Sequence, residues 1–212
     1  MHQENLESES RAKRPAGRPR SESSRAAILE AAYSYLQDRP VASISLLHIA
    51  RKAHVSSATI YRWWSTKEAL LLDACLNKAD HELVLKSEGS PLERLKEYIL
   101  QVGRSFTGRS GIVTARLLTA IQDNPILRKE FMERVYSPRE KEIRAVVKEA
   151  IQLRQLPAAM DVSVFLDSII GPLLARLLIS HEQIDEAFVI SVFHQVVAGT
   201  VAQDAAGKSS QA

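Results

Sequence analysis

Apolar residues recur along most of the chain at spacings of three and four, and no stretch alternates with period two, so the pattern predicts an all-α fold. The first helix is expected from about Ser21–Ser24 to Asp38, burying Ile28, Ala32 and Tyr35 or Leu36, with Pro40 helping to end it. Ser45 can cap a short second helix that carries Leu46, Ile49 and Ala50 on one face. A turn follows at Ala53 to Val55. Ser56 can then cap a third helix with Ser57, Ala58 and Thr59 in its first turn. Ile60 and Trp64 lie four apart and face inward, which leaves Tyr61, Arg62 and Trp63 looking outward. Two short amphipathic helices around a Ser-rich turn, with exposed groups suited to phosphates and base edges, are the sequence form of a helix-turn-helix, and the expected partner is double-stranded DNA. Ser65-Thr66-Lys67-Glu68 reads as a capping box opening a fourth helix, expected from about Thr66 towards Lys86, whose positive end and Lys67 suit a phosphate.

Beyond that point start signals recur. Ser90-Pro91-Leu92-Glu93 and Ser137-Pro138-Arg139-Glu140 each combine an N-cap, a proline at the first helical position and a glutamate at the third. Asn124-Pro125, Asp161 and Asp185 mark further starts, giving helices near 91–107, 110–123, 125–136, 138–154, 161–180 and 185–202. Gly199 is placed to end the last helix early, and 204–212 reads as a frayed tail. Val162 to Ile179 is apolar almost all round, and the final helix adds Phe188, Val189, Val192, Phe193, Val196 and Val197. Such faces are either the centre of a monomeric core or a paired surface; the second predicts a homodimer joined through the last two helices. Gly171-Pro172 removes a backbone donor and is expected to kink the penultimate helix.

Composition adds bounds. With 212 residues, 45% hydrophobic and 25% charged, the chain suits one large domain or a small and a medium one. No apolar run is read as near the length of a membrane span, and the polar N-terminus is unlike a secretory signal, so a cytoplasmic location and no membrane partner are expected. The lone Cys75 cannot form an internal disulfide and suits the apolar face of the fourth helix.

Net charge is only +3, but its distribution is uneven. Arg11, Lys13, Arg14, Arg18 and Arg20 fall together without an acidic residue, broken by Pro15, Gly17 and Pro19. Residues 1–20 therefore read as a flexible basic arm. Gly17-Arg18-Pro19-Arg20 resembles an AT-hook, in which an extended arginine enters the narrow minor groove; the other reading is a tail that touches phosphates loosely.

Residues 25–74 resemble the TetR/AcrR family of transcriptional regulators. The match rests on an alanine-rich first helix, Ile49-Ala50, Ala53, Val55-Ser56, Thr59-Ile60-Tyr61, Trp64, Ser65, Lys67, Glu68 and Leu70. His54 stands where the family has glycine at the turn, and Pro40 where glycine follows helix one. Beyond Cys75 the likeness is weaker, carried by helix order, Asn124-Pro125, Gly171-Pro172 and 185–188. The resemblance implies a helix-turn-helix domain at 21–74 joined by a long fourth helix to a ligand-binding and dimerisation domain at 75–203. It also implies an inner cavity where a small-molecule effector releases the protein from a palindromic operator. Carried over by position, Tyr61 and Lys67 contact phosphates, Thr59 sits at the phosphate or base edge, and Ser56 caps and donates to the backbone. Ser57, Ala58 and Arg62 are the candidates to read the major groove. Trp63 either reaches a phosphate or covers the start of helix four.

Phe106, Leu117, Leu118, Ile121, Phe131, Tyr136, Phe165 and Ile169 are candidates to surround the cavity, with Gln122, Arg116 or Asp167 as polar contacts; at helical spacing the same residues also suit plain core. A non-sensing architectural DNA binder is the alternative to a ligand-released repressor. Catalysis is not expected: histidines are scattered without metal-ligand spacing, and there is no Gly-rich phosphate loop or nucleophile elbow, so neither metal nor cofactor is called for.

Overall fold

The computed structural model of the chain describes residues 22–79 and 83–209, which fold into ten α-helices. The basic arm with Arg18 and Arg20 lies outside the described residues. Helix α1 (Glu22–Asp38) buries Ile28, Leu29, Ala31, Ala32 and Leu36, and Pro40 leads into a 3₁₀ turn at Val41–Ser43. Helices α2 (Leu46–Lys52) and α3 (Ser57–Tyr61) are capped as their sequences predict. The Ser45 hydroxyl accepts from the Leu47 amide at 3.2 Å, and that of Ser56 from the Thr59 amide at 3.2 Å.

Helix α4 (Lys67–Ala79) begins one residue later than a Ser65 cap requires. Thr66 is the cap, its hydroxyl accepting from the Ala69 amide at 3.1 Å, and Glu68 accepts instead from the Asn124 side chain at 3.1 Å. Nor does α4 reach Lys86. Residues from Leu83 to Lys86 are irregular, because other groups satisfy their backbone. The Gln101 amide bonds both the N–H (2.7 Å) and C=O (3.1 Å) of Val84, and Arg94 Nε donates to the Lys86 carbonyl at 2.9 Å.

Helix α5 (Pro91–Ser105) opens on a complete capping box between Ser90 and Glu93. Helices α6 (Gly108–Asp123) and α7 (Pro125–Phe131) follow, the latter capped by the Asn124 side chain accepting from the Leu127 amide at 2.9 Å. The second Ser-Pro start is not a start. Helix α7 passes through a π-helical turn at Met132–Tyr136 straight into α8 (Ser137–Gln152), and Ser137 has helical dihedrals and no cap bond. A wider turn just before Pro138 accommodates the missing backbone donor and the ring, so the chain need not break. Glu140 pairs with Arg144 instead of closing a box.

Helix α9 (Val162–Ala175) contains Pro172 and ends in a second π turn at Arg176–Ser180. Helix α10 (Glu186–Ser209) runs through Gly199 and beyond residue 204, where composition suggested a frayed tail; alanines on either side sustain it against the cost of one glycine, roughly 1 kcal/mol. One expectation is overturned outright: Val162–Ser180 is, by length and mean hydropathy, apolar enough to cross a membrane. Most of that segment is not buried. Its inner stripe of Phe165, Ile169, Leu173 and Leu177 is covered, while Val164 and Ile179 stand 61% and 78% exposed.

Two cores result. One joins α1 to α4 with Val113, Leu117 and Ile121 of α6 and Leu127 of α7; the other joins α5, α8, α9 and α10. The DNA-reading unit therefore shares its interior with the helices that follow it.

Candidate nucleic-acid interface and cavity

Helix α3 is five residues long, too short to persist alone, and is held by the buried side chain of Ile60 and by Trp64 just beyond it. Ala58, Tyr61 and Arg62 are exposed on its outer side, and Ser57 and Thr59 are half-buried. Ser56, Thr59 and Arg62 form a chain: the Ser56 and Thr59 hydroxyls are 3.0 Å apart, and the Arg62 guanidinium donates to the Thr59 hydroxyl at 3.3 Å. That chain aims the guanidinium along the outer face of the helix. His54 in the preceding turn has φ of 53°, so the turn keeps the left-handed backbone that glycine would adopt freely.

Lys67 is half-buried and donates to the Val41 carbonyl at 3.2 Å, fastening the start of α4 to the turn after α1. Trp63 does not look outward as its spacing suggested. Its ring packs against the first core, with the Arg25 guanidinium 5.7 Å from its centre. Trp64 is core, as expected. One signal of this surface was passed over in the sequence: from Arg39 to Lys67 there are five Arg or Lys and no Asp or Glu. Arg39 and Lys52 flank the Tyr35 ring at 5.1 and 5.0 Å, extending the cationic face beyond α3.

Between α4, α5, α6, α8 and α9 lies a cavity of about 500 Å³ with a mostly apolar lining. Phe106, Leu117, Leu118, Phe131, Tyr136 and Asp167 line it, as proposed from sequence. Ile121, Phe165 and Ile169 do not. They are core, because Leu166, Ile170 and Leu174, one position further round α9, turn to the cavity while Phe165 and Ile169 face the neighbouring helices. Arg116 is not there either: its guanidinium donates to the Leu36 carbonyl at 2.6 Å, tying α6 to the end of α1. Gln122 bonds the Leu118 carbonyl of its own helix. Tyr98, Arg139 and Ile143 also line the cavity and were missed, since a residue on an interior helix face has no sequence mark separating cavity from core. Cys75 lines it too, and burial pushes its thiol up to about 12.

Cavity and DNA-reading unit meet at Asp73 of α4. Its carboxylate accepts from the Trp64 indole N–H at 2.7 Å and from the Arg134 guanidinium, and Arg25 is 3.9 Å away. Arg134 belongs to the π turn whose neighbours Phe131, Val135 and Tyr136 form cavity wall. Trp64 lies just beyond α3, after Arg62 and Trp63.

Comparison with known proteins agrees with this arrangement. Residues 28–74 match the family described as bacterial regulatory proteins, tetR family, and residues 85–196 match the tetracyclin repressor-like C-terminal domain. The HTH-type transcriptional regulator YdeS of Bacillus subtilis (strain 168) is 33% identical over 189 residues, covering 89% of this chain and 96% of YdeS. Among solved structures, the TetR family transcription regulator SCO0332 superposes with a TM-score of 0.65 at 27% identity, over 84% of this chain and 98% of that one. FadR from Bacillus subtilis, solved in complex with stearoyl-CoA, shares the fold with a TM-score of 0.69 at 21% identity, over 82% and 98%. These matches are to regulators rather than enzymes, and the chain belongs to the TetR family of helix-turn-helix, DNA-binding transcriptional regulators.

Proposed function

We propose that the protein is a cytoplasmic repressor that binds a palindromic operator as a homodimer and leaves it when a small, mostly apolar molecule enters the cavity. The observation that carries this reading is the join at Asp73, where one carboxylate holds both the cavity-wall π turn through Arg134 and the end of α3 through Trp64. A shift in that wall on ligand entry acts on the same carboxylate that fixes α3. FadR of Bacillus subtilis, of the same fold, was solved with stearoyl-CoA, which supports an apolar-chain ligand as the effector class.

On DNA, Ser57, Ala58 and Arg62 read base edges in the major groove, an arginine there suiting guanine and an alanine methyl suiting thymine. Tyr61, Thr59, Ser56 and Lys67 engage the phosphate backbone, with Trp63 supporting α3 from behind. Arg18 and Arg20 of the arm enter the adjacent minor groove. Dimerisation is through the exposed faces of α9 and α10, where Ser168, Gly171 and Ala175 face outward beside Ser191, Ala198 and Gly199 and allow close helix approach. The two α3 helices would then enter successive major grooves about 34–36 Å apart.

Binding isotherms on a palindromic operator and a scrambled duplex test the assignment. Lys67→Ala should weaken binding to both and lessen its salt dependence, whereas Arg62→Ala should cost roughly 1–3 kcal/mol on the operator alone. Two variants that behave alike on the two duplexes would refute the division of roles.

A further inference from the structure

The cavity lining contains polar groups that the protein satisfies itself and others that have no hydrogen bond or ion pair among the described residues. Lys78 pairs with Glu30 at 2.9 Å, Glu140 with Arg144 at 2.9 Å, and the Ser105 hydroxyl donates to the Val102 carbonyl at 2.7 Å. Tyr98 differs. It projects from α5 with only 5% of its surface exposed, and among the described residues its hydroxyl makes no hydrogen bond. No buried side-chain oxygen or nitrogen among those residues is both sealed and unpartnered, so the hydroxyl keeps its access, and the space beside it is the cavity.

Arg139 of α8, half-buried in the same lining, has no ion pair or hydrogen bond among the described residues, although a guanidinium carries five N–H donors. It is near enough to act electrostatically on the Tyr98 phenol, as does the exposed Glu142, which lies outside the lining. Asp167, a lining carboxylate with no ion pair among the described residues, acts on Tyr136. A guanidinium and a phenol without partners, on the wall of one mostly apolar cavity, offer N–H donors from the arginine and an O–H donor from the tyrosine. The complement is an acceptor that bears negative charge and can take both.

We propose that Tyr98 and Arg139 form a head-group site for a carboxylate, and that the cavity takes an amphipathic acid whose apolar body lies among Leu117, Phe131, Ile143 and Leu166. This rests on the reading of the cavity as the effector site and names the chemistry of the effector. The carboxylate accepts from the Tyr98 hydroxyl and the Arg139 guanidinium. The mostly apolar walls lower the polarity around that contact, which strengthens it and makes the charge a determinant of selectivity rather than a passenger.

The test is calorimetric titration of the full chain with decanoate, decan-1-ol and decyltrimethylammonium, all below their aggregation concentrations. The expected result is decanoate binding about tenfold or more tightly than the alcohol, and the cation binding least. Tyr98→Phe, which keeps the ring, and Arg139→Gln should each lower decanoate affinity by about tenfold. Both should leave affinity for the alcohol unchanged, a readout that general loosening of the cavity would not spare. Alcohol binding with no preference for the acid, tighter binding of the cation, or a preference that survives both substitutions overturns the carboxylate site and leaves the effector cavity standing. Failure of all three probes to bind overturns both the head-group site and the apolar-effector reading.

Discussion

At the scale of single residues, backbone and burial set limits that side-chain type alone does not reveal. Gly111 packs so closely under the preceding turn that a Cβ there would lie 2.2 Å from the Phe106 carbonyl oxygen. Backbone cannot swing aside as a flexible side chain can. Gly111→Ala should therefore cost about 1–3 kcal/mol in urea unfolding. Cys75 carries a pH-dependent contribution. Its thiol ionises at an ordinary 9.0 when unfolded but at about 12 in the folded chain, so only the unfolded state loses the proton between these values. The stability it contributes is present below pH 9 and is lost as pH rises towards 12. Unfolding midpoints should fall more steeply above pH 9 in the native chain than in Cys75→Ala, and iodoacetamide should label the folded thiol far more slowly than the unfolded one.

Elements show how identical local patterns diverge. Ser90-Pro91 and Ser137-Pro138 have the same form, yet only the first begins a helix. Ser90 follows an irregular segment, so its cap satisfies amides that nothing else reaches. Ser137 follows a helix that continues through a π turn, so its amides already have partners. Ser90→Ala should cost about 1 kcal/mol of stability and Ser137→Ala no more than a few tenths, by thermal or denaturant unfolding. The fourth helix makes a similar point. Ser65 and Thr66 are both competent caps, and contacts decided between them: Glu68, free of the box, takes the Asn124 amide and so ties α4 to the start of α7.

For the whole molecule, coupling between cavity and DNA surface depends on helices far apart in the chain. Asp73 meets Arg134 across 61 positions and Trp64 across nine. If this carboxylate carries the signal, Asp73→Asn should leave probe binding in the cavity nearly intact while the change in operator affinity caused by saturating decan-1-ol or decanoate falls towards none. A normal coupling of about 1–3 kcal/mol in the native chain makes the loss measurable by operator titration with and without probe. Retained coupling in the variant would move the relay elsewhere, for instance to the Arg116 contact with the end of α1.

Much of this protein was legible from its residues alone. Helical periodicity, the caps at Ser45, Ser56, Ser90 and Asn124, and the inward Ile60 and Trp64 all follow from interactions within a few positions, where local geometry leaves few alternatives. What lay beyond was decided by contacts distant in sequence. Whether Phe165 or Leu166 faces the cavity is a rotation of one residue on a helix apolar nearly all round, and periodicity is blind to it. Where Arg116 and Trp63 point, which of two Ser-Pro pairs opens a helix, and how Asp73 joins two sites each depend on which neighbour arrives to supply an acceptor, a donor or a surface. Only the folded chain brings those neighbours together.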